Sequence, residues 1–130
     1  MRVELSSDKN LIIHWRHTRK EAEEADGVGR IVLSPYKAIT ECNVLLEDDG
    51  ETSVISGAVA MCSKKDNFSK AAGRKLSLRR ALLSPAFRSF VGKYVEETEG
   101  EPPVSEGDLE ARALQLREAV WEVYKDKCKV

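Results

Sequence analysis

The chain has 130 residues, 42% of them hydrophobic and 33% charged, with 21 Lys and Arg against 22 Asp and Glu and a formal net charge of −1. That is enough apolar material for the core of one domain, and it excludes a disordered chain. The balanced total also excludes a whole-protein field that would draw in a polyanion.

The first ten residues are polar after Val3 and lack the apolar run of a secretory signal. Ala58 to Cys62 is the most continuous apolar stretch and is far too short for a bilayer, so no membrane partner is expected. The cysteines, Cys42, Cys62 and Cys128, are odd in number and widely spaced, with no C-x-x-C. They read as reduced, buried thiols in a cytoplasm and not as a disulfide framework.

Residues 11–16 read as a short strand. Residues 18–26 are charged; Thr18 and Glu21 have capping-box spacing before Gly27, but no apolar stripe anchors a helix, and a solvated loop fits equally. Gly29 to Ser34 reads as a second strand, stopped by Pro35.

Tyr36 to Glu47 and Glu51 to Cys62 flank Asp48-Asp49-Gly50 and predict a long β-hairpin, since glycine supplies the positive φ such a turn needs. With the turn centred near Asp49, Tyr36 lies opposite Cys62, Thr40 opposite Ala58 and Val44 opposite Val54, all on one face. Ile39 with Val59 and Asn43 with Ile55 lie on the other. Cys42 and Cys62 are then not cross-strand neighbours.

After Cys62 the period becomes helical. A helix over 67–83, with Asp66 as N-cap, places Phe68, Ala72, Leu76 and Leu83 near one face and Ala71, Leu78 and Leu82 beside it. Gly73 inside it costs on the order of 1 kcal/mol against alanine, which points to close packing on the sheet or to a break at a ligand. Ser84-Pro85 starts a second helix over 85–97, with Phe87, Phe90, Val91, Tyr94 and Val95 at helical spacing. Residues 99–107 read as a linker. A last helix over 108–128, capped by Asp108 or Ser105, carries the stripe Leu109, Ala113, Leu116, Val120 and Val123. It packs on the domain or pairs with a second copy as a homodimer. The fold expected is α+β, with an antiparallel sheet of about four strands centred on the hairpin and packed with two or three C-terminal helices.

The charge is segregated. Residues 1–62 hold 7 basic and 11 acidic side chains (−4), residues 63–93 hold 9 and 1 (+8), and residues 94–130 hold 5 and 10 (−5). Lys70, Arg74, Lys75, Arg79 and Arg80 project from adjoining faces of one helix and are the candidate ligands for phosphate. The helix N-terminus would add backbone donors. The competing expectation is that this face meets the chain's own carboxylates, for example Glu96, Glu97 and Glu99, or is simply solvated.

Catalytic signals are thin. His14 and His17 alternate to opposite faces of a strand, and no Cys or carboxylate stands at ligand spacing, so no metal or cofactor is expected. Gly27-Val28-Gly29 leads into a strand and lacks a third glycine, and the acidic run 47–51 lacks the calcium-loop pattern. An enzyme is the least favoured class.

The stretch from Cys62 to Leu82, with its Cys62, Asp66, Phe68, Lys70, Gly73-Arg74 and Arg80-Ala81-Leu82, resembles a motif of small phage and prophage proteins. It covers 21 of 130 residues. The resemblance implies a viral accessory protein acting in the cytoplasm of a bacterial host. Such a protein would bind nucleic acid or a nucleotide signal without catalysis. Alternatively it would inhibit a host protein such as a polymerase or a defence nuclease.

Overall fold

The computed structural model describes residues 1–19, 36–63 and 69–127. Four strands, β1 (Arg2–Glu4), β2 (Lys9–Arg19), β3 (Tyr36–Asp48) and β4 (Glu51–Ser63), precede three helices. These are α1 (Lys70–Leu82), α2 (Pro85–Glu99) and α3 (Glu106–Lys127). The strands form one antiparallel sheet in the order β1-β2-β3-β4. The fold is α+β, as the alternation of periods predicts.

The strand expected at 11–16 extends over Lys9–Arg19, and Thr18 lies inside it, so no helix starts there. The polar start contributes β1, a short edge strand whose Val3 is buried. The expected strand at 29–34 and the rest of the charged segment 18–26 lie outside the described residues.

The hairpin forms with a tighter turn than expected. Asp49 and Gly50 have φ of 52° and 85° and make a two-residue loop closed by the pair Asp48 and Glu51. Both central residues at positive φ match the right-handed twist of the flanking strands. Thr40 therefore pairs with Ala60, and Tyr36 with Ser63. A bulge follows, because Val44 pairs with Ser56 while Leu45 pairs with Val54, leaving Ile55 without a partner of its own. This corrects the expected Val44–Val54 pair. The bulge inverts the alternation beyond it, so Val54 faces solvent at 65% exposure and Ile55 packs against the core.

One face of the sheet is covered. Leu11, Ile13, Ala38, Thr40, Cys42, Val44 and Ala60 are buried beneath the helices. From α2 come Phe87, Phe90, Val91 and Val95, at the spacing expected, with Tyr94 stacked on Phe90. Ser84 caps α2 by accepting from the Phe87 N–H, with Pro85 in the first turn.

The segment expected as a linker is a short connection, closed by Gly100 at φ 81° on one side and by the Ser105 cap on the other. Asp108 Oδ2 accepts from the Val104 N–H, completing the turn into α3. Ala113 and Val120 of α3 are buried in the same core, with Leu109, Leu116, Trp121, Val123 and Tyr124 packed around it. The helix thus folds back onto its own domain.

α1 departs most from expectation. It begins at Lys70 with Ser69 as N-cap, whose hydroxyl accepts from the Ala72 N–H. Asp66 and Phe68 lie outside the described residues. Its inward side is Ser77, Leu78, Ala81 and Leu82, while Leu76 and Leu83 are 39% and 58% exposed. The stripe expected through Leu76 and Leu83 is therefore rotated outward. Buried Ser77 returns its hydroxyl to the Gly73 carbonyl at 2.7 Å, so it carries no orphaned polar group into the core.

The cause is the contact at Gly73. A Cβ there would sit 2.3 Å from Thr40 Oγ1 and 3.0 Å from Thr40 Cβ. Only glycine lets the helix backbone lie this close to β3, which settles the choice between close packing and a break in favour of packing. At the other end of α1, Arg80 guards the sheet edge. Ile13 N donates to the Met1 carbonyl, so odd residues of β2 bond β1 and even ones bond β3. Carried across β3, that alternation leaves the N–H and C=O groups of Gly57, Val59 and Met61 on the outer edge of β4, which has no strand beside it among the described residues. Arg80 Nη1 donates to the Val59 carbonyl there at 2.8 Å. A charged side chain on an edge is a known block to strand addition.

Two outcomes follow from this packing. Gly73→Ala gains helix propensity but overfills the contact, and we expect a net loss of about 1–3 kcal/mol in urea unfolding. Most of that loss should be recovered by adding Thr40→Ala; a stability gain for Gly73→Ala alone would refute the contact. Arg80→Ala should leave the helical circular dichroism intact and shift the protein to larger species in size-exclusion chromatography. Unchanged elution would show that the edge needs no guard.

Candidate anion-binding surface

The five candidate residues all lie on α1, but the helix divides them. At about 100° per residue, Lys70 and Arg74 share the azimuth of the buried Ser77 and Ala81, at the end of the helix nearest Thr40. Lys75 and Arg79, four residues apart, project together from the far side and are exposed. Arg80 lies on a third flank and is held by the Val59 carbonyl. The five do not form one face: there is an inner pair, an outer pair and an edge clamp. Lys64 and Lys65 of the basic segment lie outside the described residues.

Several carboxylates near the helices are engaged elsewhere. Glu97 reaches Lys9 at 3.4 Å and Glu99 reaches Arg112 at 2.6 Å. Arg2 pairs with Glu47, and Arg88 of α2 bridges to Glu106 and Glu110 of α3. Arg117 also pairs with Glu110, and these contacts hold its carboxyl below the usual carboxylate range. The expected neutralisation of α1 by Glu97 and Glu99 therefore does not occur. Among the described residues, no carboxylate lies within ion-pair distance of Lys70, Arg74, Lys75, Arg79 or Arg80.

Of the inner pair, Arg74 sits in a built environment, while Lys70, the first residue of α1, is exposed. Trp15 Nε1 donates to the Arg74 carbonyl at 3.1 Å, tying α1 to β2. Trp15 also meets Tyr124 edge-on, with ring centroids 6.0 Å apart, so α3 supports the same spot. His17 of β2 lies with Nδ1 2.9 Å from Thr40 Oγ1. Its ring is held below the ordinary imidazole value, first by burial and then by the positive charges of Arg74 and Lys70. Arg74 is half-buried, and its Nε is fully covered with no acceptor. The sequence reading set His17 aside as a strand histidine. Its position two residues after Trp15 puts it on the inward face, but only the seating of α1 puts Arg74 and Lys70 beside it.

Other chemistry has little support here. Cys42 is buried, and desolvation pushes its thiol up to about 12, which leaves no thiolate near neutral pH. Among the described residues, no group of three or more His, Cys, Asp or Glu side chains could hold a metal ion. No described helix is long and apolar enough to cross a membrane. Compared with protein-family models, curated proteins and solved structures, the chain gives no match.

Proposed function

We propose that this protein binds a phosphate-bearing anion, a nucleic acid or a nucleotide, non-covalently through α1. The observation that carries the reading is the contrast in pairing. Glu47, Glu97, Glu99, Glu106 and Glu110 pair with Arg2, Lys9, Arg112, Arg88 and Arg117. Among the described residues, the cations of α1 have no carboxylate partner. Unpaired positive charge held on a rigid helix attracts phosphates and costs no side-chain ion pair to expose.

Lys75 and Arg79 are the outward contacts in this reading. Their four-residue spacing is a rise of about 6 Å along the helix, which suits successive phosphates better than a single one. Arg80, held on the sheet edge, is the least available of the five. The resemblance of residues 62–82 to phage and prophage proteins supplies a setting, a small accessory protein in a bacterial cytoplasm.

Fluorescence anisotropy with a labelled oligonucleotide, and with a labelled nucleotide as competitor, tests the reading across a salt series. Affinity should fall steeply with salt, and Lys75→Ala with Arg79→Ala should flatten the log–log slope by about 0.9 for each phosphate contact removed. If neither probe binds at low salt, the proposal fails. A host protein with an acidic surface, sought by pull-down, then becomes the leading reading.

A further inference from the structure

The outer edge of β1 is a row of unused backbone groups. Ile13 N donates to the Met1 carbonyl and Leu5 N to the Lys9 carbonyl, so Met1, Val3 and Leu5 turn their backbone toward β2. The N–H and C=O groups of Arg2 and Glu4 therefore point away from the sheet, and no described residue hydrogen-bonds to them. β4 at the other end of the sheet has Arg80 on its Val59 carbonyl. β1 has no such clamp among the described residues. Beside it an open trough of about 790 Å³ separates β1 from Ala119, Glu122, Val123 and Lys127 of α3. Val3 is buried on the face that the helices cover, whereas Arg2 and Glu4 are exposed on the opposite face.

This edge is complementary to itself. Only Arg2 and Glu4 offer hydrogen bonds outward. An antiparallel strand related by a two-fold axis at Val3 sets Arg2 against Glu4 and Glu4 against Arg2, each pair exchanging both of its backbone bonds. Opposite charges then stand directly across from each other on one face. An axis at Arg2 or at Glu4 would set like charges opposite instead. The side chains on that face also lack a cation. Glu4 and Glu47 lie in one row across β1, β2 and β3, and Arg2 alone reaches Glu47, at 2.6 Å. Glu4 has no ion-pair partner among the described residues.

We infer that the β1 edge is a dimer interface. A second copy of the chain adds its β1 antiparallel to this one, with Arg2 of each copy facing Glu4 of the other. The two four-stranded sheets then join into one. A two-fold axis perpendicular to the sheet keeps both α3 helices on the same covered face, where the stripe through Ala119 and Val123 faces the axis. A stable dimer buries on the order of 1,200 Å² or more, which three strand residues do not supply, so that stripe of α3 is part of the contact. Its rim carries one charge of each sign, Glu122 and Lys127, and so brings no excess of like charge to the axis. Pairing uses up both β1 edges, and Arg80 opposes a further strand at β4, so the assembly closes at two copies. The interface is separate from the anion-binding reading, because α1 packs on β3 and β4 and no residue of α1 lines the trough.

Sedimentation velocity of the full chain, over a concentration series reaching millimolar protein, tests the interface. A species of twice the 14.5 kDa chain mass should grow with concentration. Arg2→Glu and Glu4→Arg each set like charges opposite one another at both pairs, and each alone should raise the dissociation constant about tenfold or more. Mixed in equal amounts, the two variants should dimerise again, because one then offers two carboxylates to the two guanidinium groups of the other. A chain carrying both substitutions should dimerise like the original. An original chain that stays monomeric throughout, single variants that dimerise as well as it does, or a mixture that stays monomeric would overturn the interface.

Discussion

The contact between Gly73 of α1 and Thr40 of β3 sets the geometry of the basic helix. A helix normally stands off a sheet by the length of its side chains. Here the backbone descends until an added Cβ would lie 2.3 Å from a side-chain oxygen. The descent turns Leu78, Ala81 and Leu82 into the core and rotates Leu76 and Leu83 outward. It also carries Arg74 down onto the sheet while Lys70, Lys75 and Arg79 remain exposed. One missing methyl group thereby divides a run of basic residues into two populations with different dielectric surroundings.

The rest of the fold supports that seating. The sheet offers one apolar face, and α2 and α3 fill it with aromatic and branched side chains. The surface between α2 and α3 is laced by ion pairs: Arg88 to Glu106 and Glu110, and Arg112 to Glu99. Each such exposed pair is worth about 0–1 kcal/mol, so their weight in stability is small. They join α2 to α3 and do not reach α1. Of the basic segment, Arg88 is paired by α3, whereas the cations of α1 have no carboxylate within ion-pair distance among the described residues.

The two ends of α1 hold their arginines differently. At its C-terminal end Arg80 donates to the Val59 carbonyl on the outer edge of a 13-residue strand whose exposed face carries Val54, Val59 and Met61. At its N-terminal end the Nε of Arg74 is covered without an acceptor. Identical residue types six positions apart are thus held in different ways, and their surroundings alone separate them.

Local and periodic features were legible in the amino-acid order because they depend on near neighbours. Asp49-Gly50 announces the hairpin, Ser84-Pro85 announces α2, and the aromatic and aliphatic spacing of α2 and α3 names their buried sides. The segregation of charge could be counted directly. What depends on contacts distant in sequence was not legible. The one-residue change in the turn and the bulge at Val44–Leu45 reset the hairpin register, since Ile55 gains more from packing inward than from keeping alternation. The rotation of α1 follows from Thr40, some thirty positions away from Gly73. The grouping of His17 with Arg74 and Lys70 requires β2, β3 and α1 to be assembled first. The order of the residues decided that positive charge is concentrated between residues 63 and 93; tertiary packing decided which of those charges lost their water and which kept it.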